Sequence, residues 1–251
     1  MSSSVLYTVM TGLEAVSGRQ AMQSNNLVNA STPGFHAQLA TLMDSPVRGP
    51  AADAGLSDVV ASDAGYSLKR GALQLTSSPW DVALTGADGW LVTQSPTGQL
   101  LLTQDGRLHL GTDGLLQDSH GNNVLGANLK PISLPPLKHI EIGTDGTISG
   151  VEVGSGDALA QQVNHLYIAA TPAQPLVRLG GGRFGGVPNV QALTPSTGTD
   201  VKQGYLNASD VNAVRAMTDL IADVRSFQIE TQLQHSTAEA ASGLDTLVSQ
   251  G

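Results

Sequence analysis

The feature that most constrains the fold is a change of hydrophobic period along the chain, from helical at both ends to alternating in the middle. In residues 4–30, apolar side chains recur at helical spacing, which predicts an amphipathic helix. In residues 71–150, short runs that alternate apolar and polar residues predict strands. From residue 208 to residue 248 the helical period returns. We therefore predict a helix at each end and a β-rich region between them.

The N-terminal helix is predicted over residues 4–30. Its apolar members are Leu6, Val9, Leu13, Val16 and Leu27. The helix should end near residues 31–34, because a residue that precedes proline avoids helical backbone and Gly34 follows Pro33 at once.

The C-terminal helix is predicted over residues 208–248 and carries the seam of a coiled coil. Asn207 or Ser209 can cap its start by accepting a bond from a free backbone N–H. The apolar seam has spacings of 3, 4 and 3 positions, and its members are Val214, Met217, Ile221 and Val224.

The middle of the chain is cut into short runs by glycine turns, a pattern typical of hairpins. Glycine follows Asp, Thr or His at positions 89, 98, 106, 114, 121 and 146. The predicted strands are residues 81–85, 90–94, 100–103, 107–110, 115–117, 140–142, 166–170 and 176–179. Each is too short to be stable alone, so together they predict a small antiparallel meander or sandwich.

These elements predict a mainly β central domain, with N- and C-terminal α-helices that pair in a coiled-coil-like assembly domain. We place the discontinuous helical domain at residues 1–40 and 204–251. Residues 44–65 are rich in Ala, Asp, Ser, Gly and Pro without a sustained period, which predicts a linker or a loosely held loop. We place this linker at residues 41–69. The β-rich outer domain is predicted over residues 70–203.

The charge and composition narrow the classes of partner. A net charge of -9 without any basic run argues against nucleic acid. The chain has no cysteine, so neither disulfides nor thiolate metal sites are expected. The first thirty residues lack the basic start and apolar core of a cleavable signal, and no run of about 18 apolar residues predicts a membrane span. The chain is expected either in the cytoplasm or exported without cleavage.

The sequence has no recognisable catalytic motif. We therefore expect that the protein is not an enzyme and binds neither a cofactor nor a metal ion. The glycine-rich residues 180–186 lack the lysine of a phosphate loop and predict a hairpin connection. Asp105, Asp113 and Asp145 each precede glycine and are predicted to form turns by bonding their own backbone. The six histidines have no ligand spacing and are expected on surfaces or in turns; they are His36, His109, His120, His139, His165 and His235.

One alternative of a different class is a secreted carbohydrate-active enzyme or adhesin built on the β region. Trp80 and Trp90 lie on either side of Asp81 in the sequence, and aromatic rings near a carboxylate can line a sugar site. The interpretation that we favour is that both rings fill a small β core.

The apolar stripes of the two predicted helices cannot be covered by segments next to them in sequence. The helices must therefore pack on each other or on other chains, the alternative being that both fold onto the β region. This pattern indicates a protein that assembles.

Three motifs in order resemble the flagellar rod and hook protein family. Residues 24–35 (SNNLVNASTPGF) are similar to its N-terminal signature. Residues 79–84 (PWDVAL) and 88–94 (DGWLVTQ) resemble the entry into its β domain. Residues 203–212 (QGYLNASDVN) and 217–221 (MTDLI) resemble its C-terminal helix motif. The residues at 31–39 and 88–94 are most similar to those of proximal-rod members, and the distal rod protein is the nearest alternative.

The resemblance implies a structural subunit of the periplasmic proximal rod, exported by the flagellar type III apparatus without cleavage. Its implied partners are that apparatus, other proximal and distal rod subunits and further copies of itself in a helical assembly. We predict that the terminal helices make the contacts and that the asparagines near residue 25 bond across subunits. The predicted interface residues are Leu6, Leu13, Val16, Asn25, Asn26, Leu27, Asn29, Val211, Val214, Met217, Ile221 and Val224.

Overall fold

The computed structural model describes the backbone of residues 2–46, 57–86, 88–154, 159–173 and 175–249. Side chains are described for residues 10–40, 65–86, 88–154, 159–173, 175–236 and 239. The chain divides into two compact units. The helical unit comprises Met1–Ala30, Ala37–Leu68 and Val211–Gly251, and the β unit comprises Ser31–His36 and Lys69–Asp210. The predicted class, mainly β with one helix near each end, is confirmed.

The helical unit contains helix α1 (Ser2–Val28), helix α2 (Ala213–Ser249) and an antiparallel hairpin. The hairpin strands are β1 (Gln38–Pro46) and β2 (Ser57–Tyr66). Most of this hairpin lies where the sequence predicted an irregular linker, and that prediction was wrong. Strand pairing is made by backbone bonds and does not require the alternating apolar side chains that the linker prediction looked for.

Helix α2 begins later than predicted because its cap is a different residue. Asn212 Oδ1 accepts a bond from the Arg215 N–H at 3.0 Å, which satisfies one of the free donors of the first turn. Asn207 and Ser209, the predicted caps, both precede this position. Asn207 instead ends a strand of the β unit.

Among its described residues, the β unit contains fifteen short strands and one 3-10 helix, Val190–Ala192. The strands are β3 (Leu73–Leu75), β4 (Val82–Gly86), β5 (Gly89–Gln94), β6 (Leu100–Thr103), β7 (Leu108–Leu110), β8 (Leu116–Asp118), β9 (Asn123–Val124), β10 (Leu137–Ile142), β11 (Thr147–Glu152), β12 (Gln161–His165), β13 (Ile168–Ala170), β14 (Val177–Gly180), β15 (Arg183–Gly185), β16 (Thr199–Gln203) and β17 (Tyr205–Asn207). Every predicted strand overlaps one of them, whereas β3, β9, β11, β12 and β15–β17 were not predicted.

The strands pair antiparallel in one large and several small sheets. The large sheet has eight strands: its path runs β14-β15-β6-β5-β9-β8-β7, and β13 also pairs with β5. The smaller sheets are β10-β11-β12, β16-β4 and β17-β3. The glycine-rich residues 180–186 include the turn of the β14-β15 hairpin, as predicted.

The main core includes Leu91 of β5. Strand β5 and its neighbour β6 are buried nearly throughout. Burial on both faces requires a near-continuous apolar run, which explains the sequence of both strands. The residues of this core are Val82, Leu84, Leu91, Leu108, Leu116, Val124, Ile132, Leu134, Ile142, Ile148, Leu166, Ile168 and Val201.

A second packed group, which we call the aromatic cluster, consists of His36, Trp90 and Phe184. The Trp90 ring centroid lies 5.2 Å from that of Phe184 and 5.0 Å from that of His36. His36 is only 2% exposed, so its predicted surface position was wrong. The ring is buried because the segment that follows α1 enters the β unit, and local sequence carries no signal of that distant packing.

Candidate assembly surface

The predicted seam of α2 lies on the outside of the helical unit. Val214 is 75% exposed, Met217 51% and Ile221 55%, while Val224 is partly exposed. Farther along the helix, Ile229 and Leu233 are also exposed. The residues described in α1, β1 and β2 therefore leave this apolar stripe uncovered, although apolar side chains are stabilised by burial.

A different side of α2 meets α1, and it includes charged residues. Ala216 and Asp223 are buried on this side, and Asp223 Oδ1 lies 3.3 Å from Arg19 Nη2 of α1. Farther along, the Glu230 carboxylate lies beside Gly12. Helix α2 thus presents Asp223 and Glu230 to α1, while Val214, Met217 and Ile221 lie in solvent.

The predicted interface residues of α1 are distributed differently. Val16 is buried within the chain, Leu13 and Leu27 are partly buried, and the side chain of Leu6 lies outside the described residues. The exposed apolar side chains of this helix are instead Met10 and Val28 among the described residues. The helical period of the sequence identified the stripe, but it could not say which of its members the chain covers itself.

The asparagines near the end of α1 already bond within the chain. The Asn26 amide donates to the Gln38 carbonyl at 2.9 Å and accepts from the Gln38 N–H at 2.8 Å. Asn29 donates to the Asn25 carbonyl at 2.9 Å. Asn26 is buried, so its visible role is to hold the start of β1 to the end of α1. The predicted bonds across subunits stay a prediction.

Further apolar side chains are exposed on strands of the β unit, and sequence reasoning did not single them out. Leu73 and Leu75 lie on β3, and Val177 and Leu179 on β14. Strand β14 stands at one end of the path of the large sheet. Open strand edges of this kind are normally protected or covered in an assembly.

The aspartates that precede glycine act as the sequence predicted. The carboxylates of Asp105, Asp113 and Asp145 each accept a bond from the backbone N–H two residues later. The Thr147 hydroxyl also donates to Asp145, and this bond, followed by that of the Thr147 N–H, lowers the pKa of the carboxyl. Within the described residues, no group of three or more His, Asp or Glu side chains could hold a metal ion.

One cleft in the β unit has a volume of about 320 Å³ and lies on the β10-β11-β12 sheet. Its lining residues are Pro135, Leu137, Gly150, Glu152, Leu159, Gln161, Gln162 and Val163. Glycoside cleavage requires two carboxyl groups that flank the substrate, and the described residues that line this cleft include a single one, Glu152. Among the described residues, neither helix is long and apolar enough to cross a bilayer.

Three family models match the chain in the order that the motifs predicted. The model described as flagella basal body rod protein matches residues 6–36. The flagellar hook protein FlgE/F/G D1 domain matches residues 83–150. The flagellar basal body rod FlgEFG protein C-terminal model matches residues 202–240. Both helices and the beginning of the β unit are therefore similar to rod proteins.

Similar curated proteins extend the match to almost the whole chain. The flagellar basal-body rod protein FlgF of Salmonella typhimurium is 34% identical over 97% of this chain and 98% of its own length. The FlgF protein of Escherichia coli has the same identity and coverage. The basal-body rod protein FlgG of Buchnera aphidicola from Acyrthosiphon pisum is 28% identical over 90% of this chain and 93% of its own length.

Proposed function

Because the chain belongs to the family of flagellar basal-body rod proteins, we propose that it is a subunit of the proximal rod that assembles through the exposed face of α2. As a member of this family it is a structural subunit of the flagellar basal body and not an enzyme. It assembles with other rod and hook components. The position in the rod, the contact surface and the route of export are the parts that we propose.

The observation that carries the proposed contact is the exposure of Val214, Met217 and Ile221 on one apolar stripe. Full burial of such a side chain stabilises a complex by about 1.5–3 kcal/mol relative to its exposed state. A stripe that the chain leaves in water is therefore a source of association energy. We infer that it packs against helices of neighbouring rod subunits, including further copies of this chain.

Packing of this kind suits a shaft that transmits torque. Protein interiors are packed as densely as organic crystals, so interlocked helix faces resist deformation. Repeated head-to-tail contacts between subunits produce a helical assembly when the rotation does not close. The low share of charged residues, 13%, also suits a subunit much of whose surface is covered by others.

The proximal position is supported by the higher identity, 34%, to the FlgF proteins of Salmonella typhimurium and Escherichia coli than to the FlgG protein of Buchnera, 28%. The distal rod is the second candidate. We further propose that the chain reaches the periplasm through the flagellar type III apparatus without cleavage, as the family resemblance implies. Rod fractions from a strain that expresses a tagged copy would show its position relative to other rod proteins, and mass spectrometry would show whether its N-terminus is intact.

The contact surface is tested by complementation of a strain that lacks the gene. Met217→Asp and Ile221→Asp should abolish swimming and leave incomplete rods, because a carboxylate in a packed helix interface loses its hydration. Purified variants should keep the circular dichroism of the parent, since both positions are exposed.

A matched control adds the same charge elsewhere on the helix. Ala222 is also exposed but lies off the seam, so Ala222→Asp should support swimming. Normal swimming of both seam variants would refute the contact. Completed rods in the deletion strain itself would refute the assignment to the rod.

A further inference from the structure

Two contacts fix how α1 and α2 lie against each other. Arg19 meets Asp223 at 3.3 Å, and a side chain added at Gly12 would lie 3.4 Å from Glu230 Oε2. The residue numbers rise along α1 and fall along α2, so the helices are antiparallel. Gly12 and Arg19 are seven residues apart, as are Asp223 and Glu230. Seven residues are two helical turns, so both contacts belong to one heptad ladder.

The same register continues at the far end of the pair. Seven residues beyond Arg19 is Asn26, and seven residues before Asp223 is Ala216. Both side chains are buried, as residues at this level of the ladder should be. The described ladder therefore has a glycine at one level, an ion pair at the next and alanine with asparagine at the third.

The face of α2 that carries Ala216, Asp223 and Glu230 is not the one that hydrophobicity alone would place against α1. A rotation of α2 about its axis would bring Val214, Met217 and Ile221 against α1 and bury apolar surface that is now in water. Buried ion pairs stabilise less than apolar packing of the same volume, but they can specify register and orientation, because a slipped pair leaves a charge unpaired. The side chain of Asp223 is 13% exposed and that of Arg19 30%, so a slip would separate a mostly buried carboxylate from its cation.

We propose that the Arg19–Asp223 ion pair sets the register and rotation of the α1–α2 pair and thereby keeps the apolar stripe of α2 on the outside. At the next level of the ladder, the Glu230 carboxylate lies directly beside Gly12, where an added Cβ would make an ordinary contact of 3.4 Å with Glu230 Oε2. The inference concerns the single chain and does not depend on where the chain acts.

The register can be measured by cross-linking because the natural chain has no cysteine. One pair of cysteines, Gly12→Cys with Glu230→Cys, reports the observed register. A second pair, Gly12→Cys with Ser226→Cys, reports a slip of about one helical turn. The two double-cysteine chains are purified at full length and treated in parallel with a short bismaleimide at high dilution. Mass spectrometry gives the cross-linked fraction of each protein, and the readout is the ratio of the 12–230 product to the 12–226 product. A general loss of helix lowers both products and does not shift this ratio systematically.

In the otherwise natural chain the 12–230 product should dominate. Arg19→Asp should lower the ratio by about fivefold or more, because it replaces an attractive pair by two like charges. The exchange Arg19→Asp with Asp223→Arg should restore it. Arg215→Asp, which removes an exposed pair with Asp219 within α2, should leave the ratio unchanged.

Three outcomes would overturn the proposal. One is an absence of 12–230 product in the otherwise natural chain. Another is an unchanged ratio in Arg19→Asp. The third is a failure of the exchanged pair to restore the ratio. The cross-linking test of the ion pair does not use swimming assays, so its outcome is independent of the test of the proposed function.

Discussion

The side-chain amide of Asn207 bonds both backbone groups of Leu84, accepting from its N–H at 2.8 Å and donating to its carbonyl at 3.0 Å. The two residues are 123 positions apart and both are buried. Strand β16 pairs with β4, the strand that contains Leu84. Asn207 supplies the bonds that a further strand would otherwise make.

Asn207→Ala should lower the free energy of unfolding of the β unit by about 3 kcal/mol, because two buried backbone groups lose their partners. Urea unfolding followed by tryptophan fluorescence measures this change, since both tryptophans, Trp80 and Trp90, lie in the β unit. Asn128→Ala is the control, since Asn128 makes one bond in an exposed turn and its loss should cost well under half as much. Equal stability of the two variants would contradict the role of Asn207.

Gly34→Ala should destabilise the β unit by at least about 2 kcal/mol. Gly34 has a φ of 66°, and an added Cβ would collide with the backbone of Gln104 and Asp105. Gly98→Ala separates the two causes, because Gly98 also has a positive φ, 87°, but no atom within 4 Å of the added Cβ. Thermal unfolding should therefore show a smaller loss for Gly98→Ala, and an equal loss would mean that the close approach has no effect.

Asn212→Ala should weaken the start of α2 by about 1 kcal/mol, because the Arg215 N–H loses its acceptor. Hydrogen exchange of the amides in the first turn is the direct measurement, and their protection should fall. Ser209→Ala, which removes the cap that the sequence predicted, should leave that exchange unchanged. Faster exchange in Ser209→Ala, with unchanged exchange in Asn212→Ala, would show that Ser209 is the cap.

Thr147→Val should raise the pKa of Asp145 towards the ordinary value of 3.8, because the hydroxyl bond is the largest cause of its lowered pKa. The carboxyl carbon shift in a 13C NMR titration reports this pKa. Thr147→Ser keeps the hydroxyl and should keep the low pKa. A pKa that is the same in all three proteins would contradict the role of the bond.

The same bond gives a pH dependence of stability with a defined sign. Asp145 is more acidic in the folded chain than in the unfolded chain, so its contribution is present above the ordinary pKa. It is lost as the pH falls from 3.8 through the lower folded-state pKa. Thr147→Val should therefore lose less stability in this interval than the parent.

Local patterns account for what sequence reasoning predicted about the fold and the surface. Helical spacing is a property of neighbouring residues, so both helices and the members of the α2 stripe were identified. The turns at Asp105, Asp113 and Asp145 were identified for the same reason, since each bond spans two residues. The β1-β2 hairpin was missed because its strands show no sustained alternating pattern.

The sequence by itself determined the helix at each end, the β-rich middle, the turn formers and the family, because these depend on short-range periods and contiguous motifs. Only the tertiary structure decided that His36 is buried against Trp90 and that the Asn207 side chain bonds the backbone of Leu84. It also decided that Asp223 rather than Met217 faces α1. Each of these outcomes is a choice of partner between distant segments. Such choices follow from packing, charge pairing and backbone hydrogen bonds over the whole chain, which no local pattern records.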